Sequence, residues 1–193
     1  MTRLDPRSPL VLDTVELGRR AGSMRTVRRT VPAPADLGTE VIGVREGSEL
    51  DLELRLESVM EGVLVSGEIQ VPLVGSCARC LEPIEDTLTL DVQELYAYQG
   101  STTEATSEED EVRLVDGDFL DLEPMARDTV VLSLPLSPVC DEDCGGLCVD
   151  CGQRIDDLPA DHSHEITDPR WAGLAERFAS SPASAGDDTT KEN

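Results

Sequence analysis

The strongest constraint on the fold is a run of alternating apolar and polar residues that begins at residue 49. Every second residue between Glu49 and Glu57 is leucine, and the residues between the leucines are charged. Because successive side chains of a β-strand point to opposite faces, this period of two predicts a half-buried strand. The alternation resumes over residues 63–73, so the two runs together predict an antiparallel hairpin.

A third alternating run, residues 84–92, predicts another strand of the same sheet. Hydrophobic residues make up 39% of the chain but aromatic residues only 3%, so a core of Val, Leu and Ile is expected. After Asp121, a candidate N-cap, apolar residues recur at the spacing of a helix. We therefore predict an α+β protein with an antiparallel, barrel-like sheet and a packed helix, whose apolar positions are Leu122, Met125, Ala126, Val130 and Leu134.

Charge is distributed unevenly along the chain. Residues 1–48 carry eight basic and six acidic residues, whereas residues 49–193 carry eight basic and 34 acidic residues. Nucleic-acid binding depends on Lys and Arg side chains that neutralise phosphates, so direct RNA contact is predicted only through the arginine-rich run from Arg19 to Arg29. A basic protein is the partner that the acidic body favours.

The sequence contains no apolar run of the length that a signal peptide or a membrane-spanning helix needs. We therefore expect a cytoplasmic protein that does not associate with membranes. In a reducing compartment, clustered cysteines are more often metal ligands or redox groups than structural disulfides.

Six cysteines and two histidines are the candidate ligands of a metal site. Zinc prefers four tetrahedral thiolate or imidazole ligands, so eight residues would supply two sites. A Cys-x-x-Cys turn directs both sulfur atoms to one side, and Gly152 can supply the left-handed conformation that such a turn often needs. The candidates are Cys77, Cys80, Cys140, Cys144, Cys148, Cys151, His162 and His164.

Spacing alone leaves three divisions of these ligands open. Cys148 and Cys151 could join both histidines, which leaves Cys77 and Cys80 to meet Cys140 and Cys144. The four cysteines of residues 140–151 could instead form one compact site, or the two Cys-x-x-Cys pairs could form a ribbon. Cysteine-rich sets usually close the coordination shell, so structural zinc is the preferred interpretation.

These observations divide the chain into four stretches and add a zinc-stapled C-terminal module to the fold. Residues 99–111, inside the second stretch, are acidic and lack apolar anchors, so a mobile loop is predicted there. The stretches are an N-terminal arm with the arginine-rich run (1–35), a β-rich body with its helix (36–137), a Cys/His zinc module with a short helix (138–178), and a disordered tail (179–193).

Catalysis is not predicted, because the sequence has no P-loop, no G-x-S-x-G and no H-E-x-x-H motif. The alternative to a structural role is a cytosolic redox or zinc-responsive sensor. In that hypothesis Cys77 and Cys80 would be exposed thiols of low pKa.

Four motifs together resemble the bacterial YceD family, from about residue 10 to residue 178. That family is described as a large ribosomal RNA subunit accumulation protein. The motifs are C-x-R-C-L-E-P (Cys77 to Pro83), L-P-L-S-P-V-C (Leu134 to Cys140), D-C-x-G-L-C-x-x-C-G (Asp143 to Gly152) and D-P-R-W-A-x-L (Asp168 to Leu174).

The resemblance implies a non-catalytic role in 23S rRNA accumulation and large-subunit biogenesis. It also implies a basic ribosomal protein or a large-subunit assembly intermediate as the partner. Relatives commonly have Cys-x-Cys where this chain has His162 and His164, which supports a metal role there. Other relatives lack the second Cys-x-x-Cys, so the resemblance favours one site at residues 77, 80, 140 and 144 and another at residues 148, 151, 162 and 164.

Overall fold

The structure is a computed structural model that describes residues 4–107, 112–164 and 170. The chain forms two compact units, Met1–Leu147 and Cys148–Asn193. The predicted tail at 179–193 lies outside the described residues, as does the predicted helix after Asp168 apart from Arg170. In the described part of the chain, no helix is long and apolar enough to cross a membrane.

The described residues of the first unit form nine strands and two helices. Seven of the strands, β2 to β8, form one sheet, and β1 pairs with β9 in a separate two-stranded ladder. The elements are β1 (Val11–Asp13), β2 (Met24–Pro32), β3 (Leu37–Gly38), β4 (Ile42–Val44), β5 (Glu49–Ser58), β6 (Gly62–Ser76), β7 (Pro83–Ala97), α1 (Thr102–Thr106), β8 (Arg113–Leu114), β9 (Phe119–Asp121) and α2 (Glu123–Ser133).

The predicted hairpin is confirmed, and β6 is the central strand of the sheet. One edge of β6 pairs with β5 and then with β4, while its other edge pairs with β7 along its whole length. The four alternating leucines of β5 are buried, as the period of two predicted. Gly67 lies opposite Leu54, and a Cβ atom at residue 67 would come within 2.1 Å of the Glu53 carbonyl oxygen.

The sheet is open, so the prediction of a barrel-like sheet is wrong. Among the described residues, β2 pairs only with β5, and β8 covers only the Tyr96–Ala97 end of β7. The physical reason is that β1, β9 and α2 provide a second layer of the fold. Residues of β1, β9 and α2 join the core of the sheet, so the apolar face is buried without closure of the sheet on itself.

Three arginines of the arginine-rich run lie in β2, which pairs with β5 over its full length. Val27 and Val31 are the buried residues of β2. Arg25 and Arg29 lie on the same face as these valines and donate to carbonyl oxygens of β1, at 3.2 and 3.5 Å. Two of the arginines therefore fasten β1 to the sheet.

The predicted helix is present as α2, and all of its predicted apolar positions are buried. The Glu123 N–H donates to the Asp121 carboxylate at 3.0 Å, which satisfies one free donor of the first turn. The predicted mobile loop holds the short helix α1, whose N-cap Ser101 accepts from the Glu104 N–H. Residues 108–111 of that loop lie outside the described part.

Candidate metal centres

The structure brings the eight candidate ligands together in two groups of four. Within each group, one ligand atom of every residue lies within 4.8 Å of the others, so each group could hold a metal ion. Each group also lies inside one compact unit, because the boundary between the units follows Leu147. The first group is Cys77, Cys80, Cys140 and Cys144, and the second group is Cys148, Cys151, His162 and His164.

The turn between β6 and β7 positions the first two sulfur atoms of the first group. The Cys77 N–H donates to the Glu82 carbonyl, and the Leu81 N–H donates to the Cys77 carbonyl, which closes the turn. Within it, the N–H groups of Arg79 and Cys80 point at the Cys77 sulfur, at 3.4 and 3.5 Å. The turn therefore presents backbone dipoles to a thiolate at this position.

Cys140 and Cys144 come from the segment that follows α2, and Arg79 ties this segment to the turn. The Arg79 guanidinium donates to the carbonyl oxygens of Glu142 and Cys144, both at 3.0 Å. No sequence pattern predicted this role for Arg79, although this arginine is the third residue of the C-x-R-C-L-E-P motif. Its fixed donors position the second pair of cysteines against the first.

The sulfur separations of the first group match a tetrahedral zinc site. The Sγ atoms of Cys77 and Cys144 are 3.9 Å apart, and those of Cys80 and Cys140 are 3.5 Å apart. A tetrahedron with Zn–S bonds of 2.3 Å has an edge of about 3.8 Å. Cys77 and Cys80 are only 0% and 4% exposed, so most of the site is shielded from water.

The second group begins with a turn that repeats the first one. The Cys148 N–H donates to the Gln153 carbonyl, and the Gly152 N–H donates to the Cys148 carbonyl. Gly152 has a φ of 70°, as its identity predicted, and Leu81 has a φ of 64° at the corresponding position of the first turn. Because leucine is disfavoured in this conformation, sequence reasoning had no signal for Leu81.

The histidines complete the second group at a more exposed location. The Nε2 atom of His162 lies 3.7 Å from the Cys151 sulfur and 2.8 Å from the Nε2 atom of His164. Two imidazole ligands of one tetrahedral zinc would be about 3.3 Å apart, since Zn–N bonds measure 2.0–2.1 Å. The donor set fits zinc, but the two rings would have to separate by about half an ångström to hold it.

The thiols of the two groups differ in acidity. Backbone N–H donation from Cys80 lowers the pKa of Cys77 to about 6, and donation from Cys151 lowers the pKa of Cys148 to about 6. In contrast, a hydrogen bond with the Cys80 side chain raises the pKa of Cys140 to about 12. Near neutral pH, a metal-free first group therefore holds a thiolate at Cys77 and a protonated thiol at Cys140. A metal that needs thiolates must displace the protons.

We expect one thiol of the metal-free protein to ionise near pH 6, namely that of Cys77, whose unit has an apolar core of its own. Its folded-state pKa lies below the ordinary value of 9.0, so the unfolded chain binds more protons between about pH 6 and 9. The thiolate therefore stabilises the fold above about pH 9, and this contribution is lost as pH falls through about 6. Thiolate absorbance in the ultraviolet measures the ionisation directly.

One variant provides the control for this titration. Cys77→Ser should remove the low-pH step, because it removes the acidic thiol of the first group. A wild-type titration with all six thiols ionising together near pH 9 would contradict the assignment.

Comparison with known proteins places the chain in one family. The sequence pattern described as Large ribosomal RNA subunit accumulation protein YceD matches residues 65–176. An uncharacterized protein of Mycobacterium tuberculosis (strain ATCC 25618 / H37Rv) is 49% identical over 169 residues, which cover 88% of this chain and 81% of the relative.

More distant relatives extend the comparison. An uncharacterized protein of Mycobacterium leprae (strain TN) is 41% identical over 89% of this chain and 79% of its own length. The uncharacterized protein YlbN of Bacillus subtilis (strain 168) is 23% identical over 84% of this chain and 83% of its own length. No solved structure matches the chain significantly. From the matched residues 65–176 and the mycobacterial identities, the chain belongs to the YceD family.

Proposed function

We propose that this protein is a non-catalytic factor that supports 23S rRNA accumulation and biogenesis of the large ribosomal subunit in the cytoplasm. The observation that carries the proposal is the match to a family whose description names large ribosomal RNA subunit accumulation. The chemistry of the two ligand groups agrees with a non-catalytic role.

We further propose that each ligand group holds one structural zinc ion. A catalytic zinc usually has three protein ligands and an open position for water or substrate. Here each group offers four ligand atoms within 4.8 Å of one another, enough to fill a tetrahedral shell. Thiolate and imidazole ligands suit zinc better than magnesium or calcium, which prefer oxygen.

The sensor hypothesis requires Cys77 and Cys80 to be exposed, and both are buried. Solvent cannot reach their sulfur atoms without local opening of the turn, which disfavours rapid oxidation or reversible metal loss at the first group. Structural zinc is therefore the better supported role for these cysteines.

The proposed partner is a basic ribosomal protein or a large-subunit assembly intermediate. Residues 49–193 carry 34 acidic and eight basic residues, which speeds encounter with cationic surfaces and opposes phosphate. The run from Arg19 to Arg29 was the one predicted route to RNA. Four of its five arginines engage groups of the same chain: Arg19, Arg25, Arg28 and Arg29.

Deleting the gene tests the proposed function. We expect a lower ratio of 23S to 16S rRNA and fewer free large subunits, and both should recover when the wild-type gene is restored. Complementation with the Cys148→Ser variant, compared with the wild type at equal protein level, tests whether the second ligand group is needed. An unchanged rRNA ratio in the deletion strain would contradict the proposal.

Binding across a salt series tests the partner class. The purified protein should bind at least one basic large-subunit protein at low salt, and added salt should weaken this binding because it screens the charges. Naked 23S rRNA should bind weakly under the same conditions. Tight RNA binding at physiological salt without binding to any basic subunit protein would reverse this assignment.

A further inference from the structure

We propose that the open edge of β7, over residues 85–93, binds an extended basic segment of a partner protein as an additional strand of the sheet. The proposal rests on the proposed function only in taking the partner to be a basic protein. It adds the docking surface, the conformation of the bound segment and the charge pattern that the segment should carry.

Among the described residues, no strand pairs with most of the outer edge of β7. The Glu82 carbonyl accepts from the Cys77 N–H and the Tyr98 N–H donates to the Glu61 carbonyl, so even-numbered residues at both ends of β7 face β6. The pairing register between them is unbroken. Successive residues direct their backbone groups to opposite sides, so the odd-numbered residues face the other edge.

Within the described residues, β8 is the strand that pairs with this outer edge, and it reaches only Tyr96 and Ala97. The carbonyl of Ala97 accepts from the Val115 N–H, which confirms that odd-numbered residues face outward. Five successive outward residues have no strand partner in the described part of the chain, although the Thr87 N–H donates to the Asp86 carboxylate at 2.7 Å. Their side chains are all exposed: Glu85, Thr87, Thr89, Asp91 and Gln93.

The two faces of β7 suit an added strand in which apolar and polar side chains alternate. Leu88 and Leu90 lie on the core side of the sheet, and both are only half-buried against the core. Apolar side chains on one face of an added strand would cover these leucines, while the other face would meet the exposed polar row. A bound segment should therefore alternate apolar and basic residues.

Charge explains why the occupant should be basic. Strand β7 carries four acidic residues and no Lys or Arg. Asp91 lies directly opposite Glu68, and Glu68 lies opposite Glu53, so like charges form a row across three strands. Like charges in direct cross-strand positions are destabilising. Arg28 pairs with Glu53 at one end of this row of acids. A cation beside Asp91 would neutralise the other end, at the open edge.

The same charge disfavours pairing of two β7 edges from two copies of this chain. Natural sheets protect exposed edges with charged residues, and pairing would bring together two stretches that each carry Glu85, Asp86 and Asp91. A basic strand would not be subject to this repulsion between acidic residues. The edge is thus protected against self-association and open to a basic segment.

The first experiment measures amide hydrogen exchange of the full-length protein with a blocked peptide of about nine residues that alternates lysine and valine. At a peptide concentration of about ten times Kd, exchange of the outward amides of Thr89, Asp91 and Gln93 should slow by about tenfold. The inward amides of Leu88 and Leu90 should change less, because they already bond to β6. An acidic peptide of the same pattern should not bind.

A proline substitution tests the edge directly. Thr89→Pro removes an outward N–H and an exposed side-chain bond from Gln70, at 3.5 Å, but no backbone bond to β6. We expect it to weaken peptide binding by about tenfold. Thr26→Pro is the matched control at the opposite edge of the sheet. The Ser23 carbonyl accepts from the Ser58 N–H, so odd-numbered residues of β2 face β5 and Thr26 faces outward. The control should bind the peptide as the wild type does.

If Thr89→Pro does not fold, Glu85→Gln combined with Asp91→Asn replaces it, since both side chains are exposed. This pair should lower affinity and reduce its salt dependence.

Three results would overturn the proposal: no protection of the outward amides, equal binding by the Thr89→Pro and Thr26→Pro proteins, or a dimer that protects these amides without peptide.

The two proposals can fail separately. If deletion of the gene lowers 23S rRNA but the peptide does not protect the edge, the docking surface is wrong and the proposed function stands. If the peptide binds the edge but deletion leaves rRNA unchanged, the proposed function is wrong and the docking surface stands.

Discussion

Replacing Cys148 with serine is expected to unfold the Cys148–Asn193 unit while the Met1–Leu147 unit stays folded. In the second unit, none of the residues at 148–164 is buried, nor is Arg170. The described part of this unit therefore offers no apolar core to offset an ordering entropy of about 1–2 kcal/mol per residue. If the proposed zinc is bound, its ligation would be the dominant stabilising interaction, because structural zinc supplies apparent folding free energies of about 10–16 kcal/mol in small modules.

Cys77→Ser is the matched control for this prediction. It removes one ligand of the first group, but the unit that contains it also has a large apolar core. We expect the Cys77→Ser protein to lose one zinc ion and some stability while its sheet remains folded. Cys148→Ser should lose the other ion together with the chemical-shift dispersion of residues 148–164.

Metal analysis and thiol titration provide the measurements. Protein purified without chelator should contain two zinc ions per chain, and its thiols should react slowly until a chelator is added. No bound metal, together with rapid reaction of all six thiols in the native protein, would contradict the prediction.

Replacing Leu54 with alanine is expected to lower the free energy of unfolding by about 2–5 kcal/mol. Leu54 lies in the middle of β5 and is 0% exposed, so the substitution removes buried methyl groups and leaves a cavity in the core. A loss of this size is a large fraction of the roughly 5–15 kcal/mol that stabilises a typical protein.

Leu132→Ala provides the control, because it makes the same chemical change at a side chain that is 85% exposed on α2. Its effect should stay within about 0.5 kcal/mol. Urea unfolding followed by circular dichroism measures both variants under the same conditions. Equal losses of stability in the two proteins would mean that the buried face of β5 has been assigned incorrectly.

Local sequence pattern was sufficient for the central strands and the helix. The alternating leucines of β5 predicted which of its side chains are buried. In a strand that covers a core with one face, apolar residues must recur at every second position. The helical spacing from Leu122 to Leu134 predicted the buried face of α2 for the corresponding reason. Gly152 predicted a left-handed turn, because glycine has no Cβ to oppose it.

The ligand types were also evident from the sequence, but their grouping was not derivable from spacing alone. Cys77 and Cys80 are separated from Cys140 and Cys144 by some 60 residues, and the Arg79 hydrogen bonds link the two segments. Resemblance to the YceD family had favoured this grouping. Sequence spacing carries no information about such long-range contacts, so the other divisions remained open until the fold was known.

The sequence by itself determined the period of the strands, the apolar face of the helix and the chemistry of the ligands, since these depend on neighbouring residues. Only the tertiary structure decided that the sheet is open, that Arg25 and Arg29 bind carbonyl oxygens of β1, and that Leu81 adopts a positive φ. Each of these depends on elements distant in sequence or on a closed turn. There, packing and hydrogen bonding outweigh the local preferences that a sequence pattern reports.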